Sequence, residues 1–363
     1  MPYEVDFLPF AADQRSGDAI ALRFGNLSGR RTEQTVVVID GGFTETGERL
    51  VQHINRFYAT NRVDLVVSTH PDADHASGLE VVVEKMEVGE LWLHRPWNHT
   101  QDIAKMFQDG RVTDLSVEEK IRKALQDVRD IERIALRKKI PIVEPFTGLS
   151  DATKSLIVMG PTLEYYDSLL PDFRCTPQAK TSNLMKMLKG ISEGAIEAVK
   201  TVFESWDYET LSDTGDPTSA ENNSSVILLL SVDGRNLLFS ADAGIPALSQ
   251  AAEILEAINV IPNNLKFIQV PHHGSRRNVG PTILNRLLGP KRTADVDVVS
   301  AFVSAKVDGL PKHPARKVTN AFRRRGAPVR GSNGQTMTHW HNAPARAGWR
   351  PLTPIPMHSE VDE

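Results

Sequence analysis

The chain has 363 residues, of which 40% are hydrophobic and 24% are charged. This composition is typical of a folded globular protein and excludes disorder over most of the chain. A single cysteine, Cys175, excludes an intramolecular disulfide and a cysteine-rich zinc cluster. The first residues lack the pattern of a secretory signal, and no apolar run approaches the ~18 residues of a membrane span. We therefore expect a cytoplasmic protein.

The net charge of −4 conceals an uneven distribution. Residues 264–350 carry 16 basic and 3 acidic side chains, so the rest of the chain is strongly acidic. Such a basic segment can face a polyanion, or it can neutralise the acidic middle of the same chain. Both interpretations stay open at this point.

Strands and helices alternate near the start of the chain. Short apolar runs predict strands over 19–24, 35–39, 63–68 and near Leu91. Helical periodicity predicts helices over 48–61 and 77–86. This alternation predicts a mixed α/β layer.

The middle of the chain, from about 98 to 221, has a different pattern. It predicts helices over 117–139, 165–170 and 191–203, with one strand over 154–159. We interpret it as a large helical insertion in a single domain that spans residues 1–350. A separate helical domain is the alternative.

The α/β alternation then resumes. A hairpin is predicted around Asp233-Gly234, because this pair favours a tight turn between the apolar runs 225–231 and 236–239. The remaining elements are helices over 248–258, 281–288 and 315–325 and strands over 267–270, 296–303 and 336–340. The proline-rich residues 351–363 are expected to be a surface tail.

The most informative segment is the loop after the strand at 63–68. Four potential metal ligands occupy six positions there, namely His70, Asp72, Asp74 and His75. Imidazole and carboxylate suit zinc, and the carboxylates also admit manganese. A polar helix cap is the simpler alternative, but two histidines and two aspartates at this spacing favour a metal site.

Further candidates lie where other predicted strands end. Asp40 ends the strand at 35–39, Asp242 follows the strand at 236–239, and His272 and His273 follow the strand at 267–270. Functional groups gather at the carboxyl ends of strands in α/β folds. We therefore expect these side chains to meet those of the first loop.

Taken together, these segments resemble the metallo-β-lactamase superfold and, within it, the hydrolase domain of ComEC-type competence proteins. The resemblance implies a four-layer αβ/βα sandwich with two divalent metal ions at one edge of the sheets, Zn²⁺ first and Mn²⁺ as the alternative. The matching segments are Ser16-Gly17-Asp18-Ala19, Ile39-Asp40-Gly41-Gly42, His70-x-Asp72-x-Asp74-His75, Ser240-Ala241-Asp242, Val270-Pro271-His272-His273-Gly274-Ser275 and His313-Pro314.

The resemblance also implies a role for each matching residue. His70 and Asp72 would bind the first ion, Asp74 and His75 the second, with Asp242 bridging both. His273 would complete the second site, and Asp40 would orient the ligands. The histidine expected between the first cluster and Asp242 is missing, and Asn222 or Asn223 stands near its place.

These expectations predict a metal-dependent hydrolase that cleaves phosphodiester bonds, with nucleic acid as the substrate. Asp74 and Asp242 would act at the centre, and His272 or His313 would protonate the leaving group. Phosphate contacts would come from five arginines near these segments, namely Arg276, Arg277, Arg323, Arg324 and Arg325.

Two alternatives remain. One keeps the hydrolase but gives it a small substrate, such as a cyclic nucleotide, a lactone or a thioester. The other is a non-catalytic module with a degraded site that binds nucleic acid or a protein partner in a multi-protein system. A serine nucleophile and a nucleotide-binding P-loop are not supported, because neither G-x-S-x-G nor the P-loop motif is present.

Overall fold

The computed structural model describes residues 1–10, 16–107, 109–177, 201–214, 217–305 and 313–362. Its first sheet has seven strands, in the spatial order β14-β1-β2-β3-β4-β5-β6. They are β1 (Tyr3–Phe7), β2 (Ala19–Gly25), β3 (Gln34–Gly41), β4 (Arg62–Ser68), β5 (Glu87–Leu93), β6 (Ile142–Val143) and β14 (Met337–His341). From β3 to β6 the strands are parallel, and from β14 to β3 they are antiparallel.

The second sheet has six strands, in the order β13-β12-β11-β10-β9-β7. They are β7 (Leu156–Gly160), β9 (Ile227–Val232), β10 (Arg235–Phe239), β11 (Leu265–Gln269), β12 (Ser300–Val303) and β13 (Val329–Gly331). A small separate sheet pairs β8 (Thr201–Phe203) with β15 (Glu360–Asp362). The predicted hairpin is confirmed, because β9 and β10 pair antiparallel around Asp233-Gly234.

Helices cover the outer faces of both sheets. They are α1 (Thr44–His53), α2 (Ala73–Lys85), α3 (Asp114–Ala124), α4 (Gln126–Lys138), α5 (Leu163–Leu169), α6 (Ala220–Asn223), α7 (Ile245–Ala257), α8 (Pro281–Leu288) and α9 (Arg316–Arg324). None of the helices in the described part of the chain is long and apolar enough to cross a membrane.

Three hydrophobic cores separate four layers. The central core lies between the sheets and joins Leu22 and Val67 of the first sheet to Phe267 of the second. One outer core packs α2 and α4 on the first sheet, and the other packs α7 and α8 on the second. Alternate residues of each strand face opposite cores, as the pleat of a strand requires. The predicted α/β fold with two covered sheets is confirmed.

A close contact between backbones fixes the start of α2 against the end of β3. A Cβ atom on Gly78 would overlap the carbonyl group of Gly41, so both positions require glycine. The Gly78 amide donates to the carbonyl of Gly42, at 2.7 Å. This contact brings the loop before α2 next to the end of β3, and thus His75 next to Asp40.

Several predicted elements differ from the structure. The helix predicted over 117–139 is two helices, because Leu125 has a ψ of 58° that breaks the helical hydrogen bonding. Of the helix predicted over 191–203, residues 201–203 form strand β8, and the rest lies outside the described residues. Strand β1 was not predicted, although Tyr3, Val5 and Phe7 alternate with acidic residues at the period of a strand.

The C-terminal segment is not the surface tail that the sequence predicted. Val361 is fully buried in β15, and the amide of Ile355 donates to the carbonyl of Val329 in β13, at 2.8 Å. The amide of His358 donates to the Asn320 side chain, at 2.9 Å. A few apolar contacts and hydrogen bonds therefore hold residues 351–362 against the domain, although their proline content predicted a surface tail.

Candidate metal centre

The predicted site residues meet at one edge of the two sheets. Asp40 lies at the end of β3, and the loop that carries His70 and His75 follows β4. Asp242 follows β10, and the pair His272-His273 follows β11. These strands end at the same edge, so four separate chain segments bring their side chains to one place. Asp18, directly before β2, adds a fifth.

Asp242 is the centre of the cluster. Its Oδ1 lies 3.3 Å from His75 Nε2, and its Oδ2 lies 3.4 Å from His272 Nε2. His70 Nε2 and His273 Nε2 lie 3.8 and 3.9 Å from the same Oδ2. Asp242 is only 2% exposed. One buried carboxylate facing four imidazoles is an arrangement that divalent metal ions stabilise.

A hydrogen-bonded chain behind the cluster fixes two histidine tautomers. Asp40 accepts a hydrogen bond from the backbone amide of Thr69, at 2.8 Å, and one from its hydroxyl, at 2.6 Å. The hydroxyl proton is thereby used, so Thr69 Oγ1 must accept from His70 Nδ1, at 3.0 Å. His75 Nδ1 donates to Asp40, at 2.8 Å. In the neutral form of each ring, Nδ1 thus carries the proton and Nε2 faces Asp242 as a potential metal ligand.

Several buried atoms of the cluster that could bind a metal ion have no hydrogen-bond partner among the described residues. The Nε2 atoms of His70 and His75, both ring nitrogens of His273 and Oδ1 of Asp242 are buried. Within the described part of the chain, these atoms have no hydrogen-bond partner of acceptable geometry. Buried polar atoms are normally satisfied, so a cluster of unsatisfied ligand-type atoms indicates a bound group.

The charges in the cluster shift the pKa values of its members. Burial raises the pKa of Asp242, but His272, His75 and His273 outweigh it and hold that pKa well below 3.8. Burial lowers the pKa of His273, whereas Asp242, Asp74 and Asp18 raise it, to about 9. Burial and the neighbouring His75 lower the pKa of His70. The carboxylates thus attract positive charge, whether protons or metal ions.

Asp18 is a site residue that the sequence reasoning did not assign. Its carboxylate is buried and belongs to one group of potential ligands with His75, Asp242 and His273. Gln269 donates to it, at 2.8 Å. The motif Ser16-Gly17-Asp18-Ala19 contained the signal, but its place before a strand gave no reason to expect it at the edge.

The two remaining aspartates of the first loop differ from each other. Asp74 Oδ2 lies 3.2 Å from His273 Nε2, which places Asp74 beside the cluster. Asp72 instead contacts the guanidinium group of Arg174, which also lies 3.1 Å from Glu221. Asp72 is thus a predicted ligand for which the structure shows a protein partner.

His272, Asn222 and His313 form the outer part of the site. Asn278 donates to the carbonyl of Asp242, at 2.7 Å, so its oxygen can accept from His272 Nδ1, at 2.9 Å. Asn222 lies 3.1 Å from the same nitrogen. The His313 ring centroid is 6.3 Å from that of His272. Burial, with the nearby His273 and His272, lowers the pKa of His313 to about 4.

Asn222 therefore contacts His272 beside the cluster, and its predicted outer role stays a prediction. Asn223 does not share this contact, because its side-chain amide donates to the carbonyl of Ser219, at 3.2 Å. Its other side-chain atom, Oδ1, is buried without a partner among the described residues. The absent histidine is thus not replaced by a second asparagine at the cluster.

The prediction of a five-arginine phosphate surface is wrong for two of its members. Arg324 is 0% exposed and lies 3.0 Å from Glu204, and Arg325 is 1% exposed and lies 2.8 Å from Glu209. Both acids belong to the stretch 98–221, so the basic helix neutralises the acidic middle of the chain. Arg323 pairs with Asp295, at 2.6 Å. Arg276 and Arg277 are exposed, next to the His272-His273 loop.

Residues 30–162 match the family model of the metallo-beta-lactamase superfamily. This segment holds β3, β4 and the whole His70–His75 motif, so the similarity to the superfamily includes the first part of the candidate centre. The match supports a hydrolase of this superfamily and the divalent metal ions that its members usually bind. The narrower resemblance to ComEC-type proteins stays a prediction. No protein of curated function matches the chain significantly.

Solved structures similar to the chain include a protein of Thermotoga maritima described as a metallo-β-lactamase. It is 9% identical, with 72% of this chain and 94% of that one covered and a TM-score of 0.33. A metallo-β-lactamase from Hirschia baltica is 12% identical, with 78% and 90% covered and a TM-score of 0.31. A mutant of the β-hydroxylase CmlA is 12% identical, with 93% and 53% covered and a TM-score of 0.42. At these TM-scores the likenesses carry no argument about the chemistry.

Proposed function

We propose that the protein is a metal-dependent hydrolase that cleaves a phosphodiester bond. The observation that carries this proposal is the convergence of four imidazoles on the buried carboxylate of Asp242. Zn²⁺ or Mn²⁺ would be held by His70, His75, Asp242, His273, Asp74 and Asp18. Such ions lower the pKa of a water molecule towards neutrality and neutralise charge on the phosphoryl oxygens.

The residues around the ligands would keep the site ready for the reaction. Asp40 and Thr69 hold the Nδ1 atoms of His75 and His70, so that Nε2 of each ring points to the centre and can bind a cation once it has no proton. Asn278 orients His272 in the same way. His272 is the less buried histidine of its pair, with 28% of its side chain exposed, so it can exchange a proton with the leaving group.

The choice of a phosphodiester rests on charge. Arg276 and Arg277 are exposed and directly follow the loop that carries His272 and His273. These cations would attract an anionic substrate and speed its approach to the centre. The resemblance to ComEC-type proteins also favours a phosphodiester as the bond that is cleaved. Arg324 and Arg325 no longer support it, because their charges are used inside the protein.

Elemental analysis combined with a hydrolysis assay tests this proposal. We expect the purified protein to contain about two divalent ions per chain and to hydrolyse bis(4-nitrophenyl) phosphate. Asp242→Asn should lose metal and reduce hydrolysis by at least about 100-fold, because it removes the shared ligand. Asp109→Asn is the matched control, since Asp109 is exposed and pairs with the nearby Arg111.

The results separate the proposal from its rivals. Hydrolysis that survives in Asp242→Asn, with circular dichroism showing an intact fold, would exclude the proposed centre. A wild-type protein that cleaves a lactone or thioester much faster than the diester would favour the small-substrate hydrolase. Bound metal without hydrolysis of any substrate in the panel would favour the non-catalytic module.

A further inference from the structure

A second concave surface lies along the edge strand β14. It is an open groove of about 650 Å³ between β14, the end of β13 and residues 348–353. Its wall is mainly polar, with Ser332, Asn333, Gln335, Thr336 and Thr338 among the lining residues. Two tryptophans, Trp340 and Trp349, lie at one end. We call this surface the β14 groove.

The two tryptophans form a rigid aromatic platform. Their rings stack with centroids 5.2 Å apart and planes 25° apart. The guanidinium group of Arg346 lies 5.3 Å from the Trp349 ring centroid, and Asp6 holds that guanidinium at 2.9 Å. Trp340 nevertheless remains 49% exposed. A large apolar ring that is fixed in position and open to solvent is a surface for stacking a planar ligand.

The charge of the groove favours an anion. Arg330 and Arg350 line the groove, and none of its described lining residues is acidic. Arg330 is paired with Asp297, whereas Arg350 is exposed at the tryptophan end. An exposed aromatic ring beside an exposed arginine, in a wall whose described residues include no acid, is a combination that suits single-stranded nucleic acid.

The groove begins near the candidate metal centre. The amide of Ser332 donates to the carbonyl of Val303, at 3.2 Å, and Ala305 pairs with Ser16, two residues before Asp18. Strand β14 runs antiparallel to β1, so Met337 lies at the end nearest the centre. Trp340 is three residues further on, or about 10 Å at the rise of a β-strand.

We propose that the β14 groove binds a single strand of nucleic acid, with a base stacked on Trp340 and a phosphate near Arg350. The backbone of the strand would then run along β14 towards the metal centre. A duplex is a poorer occupant, because its bases are already stacked and cannot lie on the tryptophan. This inference rests on the proposed function, of which it names the substrate class.

Fluorescence anisotropy tests the inference with the full-length protein as purified. The probe is a labelled oligothymidylate of about 12 nucleotides with phosphorothioate linkages, which resist cleavage. We expect it to bind more tightly than a duplex of the same length. Trp340→Ala should weaken the binding by about five- to 100-fold, and Trp340→Phe should keep most of it, because base stacking supplies this part of the affinity. Arg350→Ala should weaken it and make it less sensitive to salt.

The controls keep the two proposals separate. Tyr208→Ala removes another exposed aromatic ring, 58% exposed and outside the groove, and should leave binding unchanged. Hydrolysis of bis(4-nitrophenyl) phosphate should be equal in Trp340→Ala and wild type. Equal oligothymidylate binding by these two proteins would overturn the inference, as would a wild-type preference for a neutral oligosaccharide over the oligonucleotide. Failure of the proposed function would instead appear as a wild-type protein that does not cleave the small diester.

Discussion

Arg324 and Arg323 are neighbours in α9, yet they should respond very differently to substitution. Arg324 is fully buried and donates to Glu204 at 3.0 Å, and to the backbone carbonyls of Tyr208 at 2.9 Å, Trp206 at 3.1 Å and Ser205. Arg323 is partly exposed and pairs at the surface with Asp295. We predict that Arg324→Ala strongly destabilises the fold and that Arg323→Ala does not.

The magnitude follows from what the substitution leaves behind. Removing Arg324 strips three carbonyls of a donor and leaves the carboxylate of Glu204 buried without its counter-charge. Breaking a buried ion pair in this way costs about 3–5 kcal/mol. Glu204 keeps its hydrogen bonds from Thr210, at 2.6 and 2.8 Å, and from Asn320, at 2.7 Å, which favours the lower half of that range. Loss of Arg323 should cost less, about 1–2 kcal/mol, because its pair with Asp295 lies at the surface and only its bond to the carbonyl of Ile355, at 2.9 Å, is partly buried.

Urea unfolding at pH 7 measures the difference. The free energy of unfolding of Arg324→Ala should fall about 2 kcal/mol further than that of Arg323→Ala. Arg324→Met keeps much of the side-chain volume and separates the loss of charge from the loss of packing. Equal unfolding midpoints for Arg324→Ala and Arg323→Ala, together with weaker oligonucleotide binding by Arg324→Ala, would refute the structural role and return α9 to the substrate surface.

Three further predictions concern the pH dependence, the helix–strand contact and the ligand tautomers. Burial would raise the pKa of Asp6, but His53, Arg346 and Thr338 lower it to about 2. Ionised Asp6 therefore adds ~2.4 kcal/mol to the free energy of unfolding above pH ~4, and this contribution is lost as the pH falls through 2. The difference in the free energy of unfolding between wild type and Asp6→Asn, measured with urea, should shrink by about 1 kcal/mol from pH 6 to pH 3. Gly78→Ala should lower the melting temperature sharply, since its Cβ overlaps a backbone carbonyl, and an unchanged melting curve would contradict that contact. Thr69→Val should weaken Zn²⁺ binding by about 10- to 100-fold in a competitive chelator titration while the protein stays folded, whereas unchanged affinity would show that the hydroxyl does not set the tautomer.

The sequence alone predicted the α/β layers, the hairpin and that the histidines and aspartates of the candidate centre lie close together. These features depend on local signals. Apolar runs and helical periodicity mark the elements, and residues that follow a strand are expected at the edge of the sheet. His70, His75 and Asp242 could therefore be expected at one edge before their distances were known. In the structure, Nε2 of His75 lies 3.3 Å and Nε2 of His70 lies 3.8 Å from the carboxylate oxygens of Asp242.

Only the tertiary structure decided which charged side chains are free to act. Arg324 looks like a surface cation in the sequence, but its partner Glu204 is 120 positions away, and no local pattern can reveal such a pair. Asp18 enters the cluster because β2 runs antiparallel to its neighbour β3, which brings its first residues to the same edge as the ends of the parallel strands. Local physical chemistry sets which residues can bind a metal ion or a phosphate, but the packing of distant segments determines which of them are buried, paired or exposed.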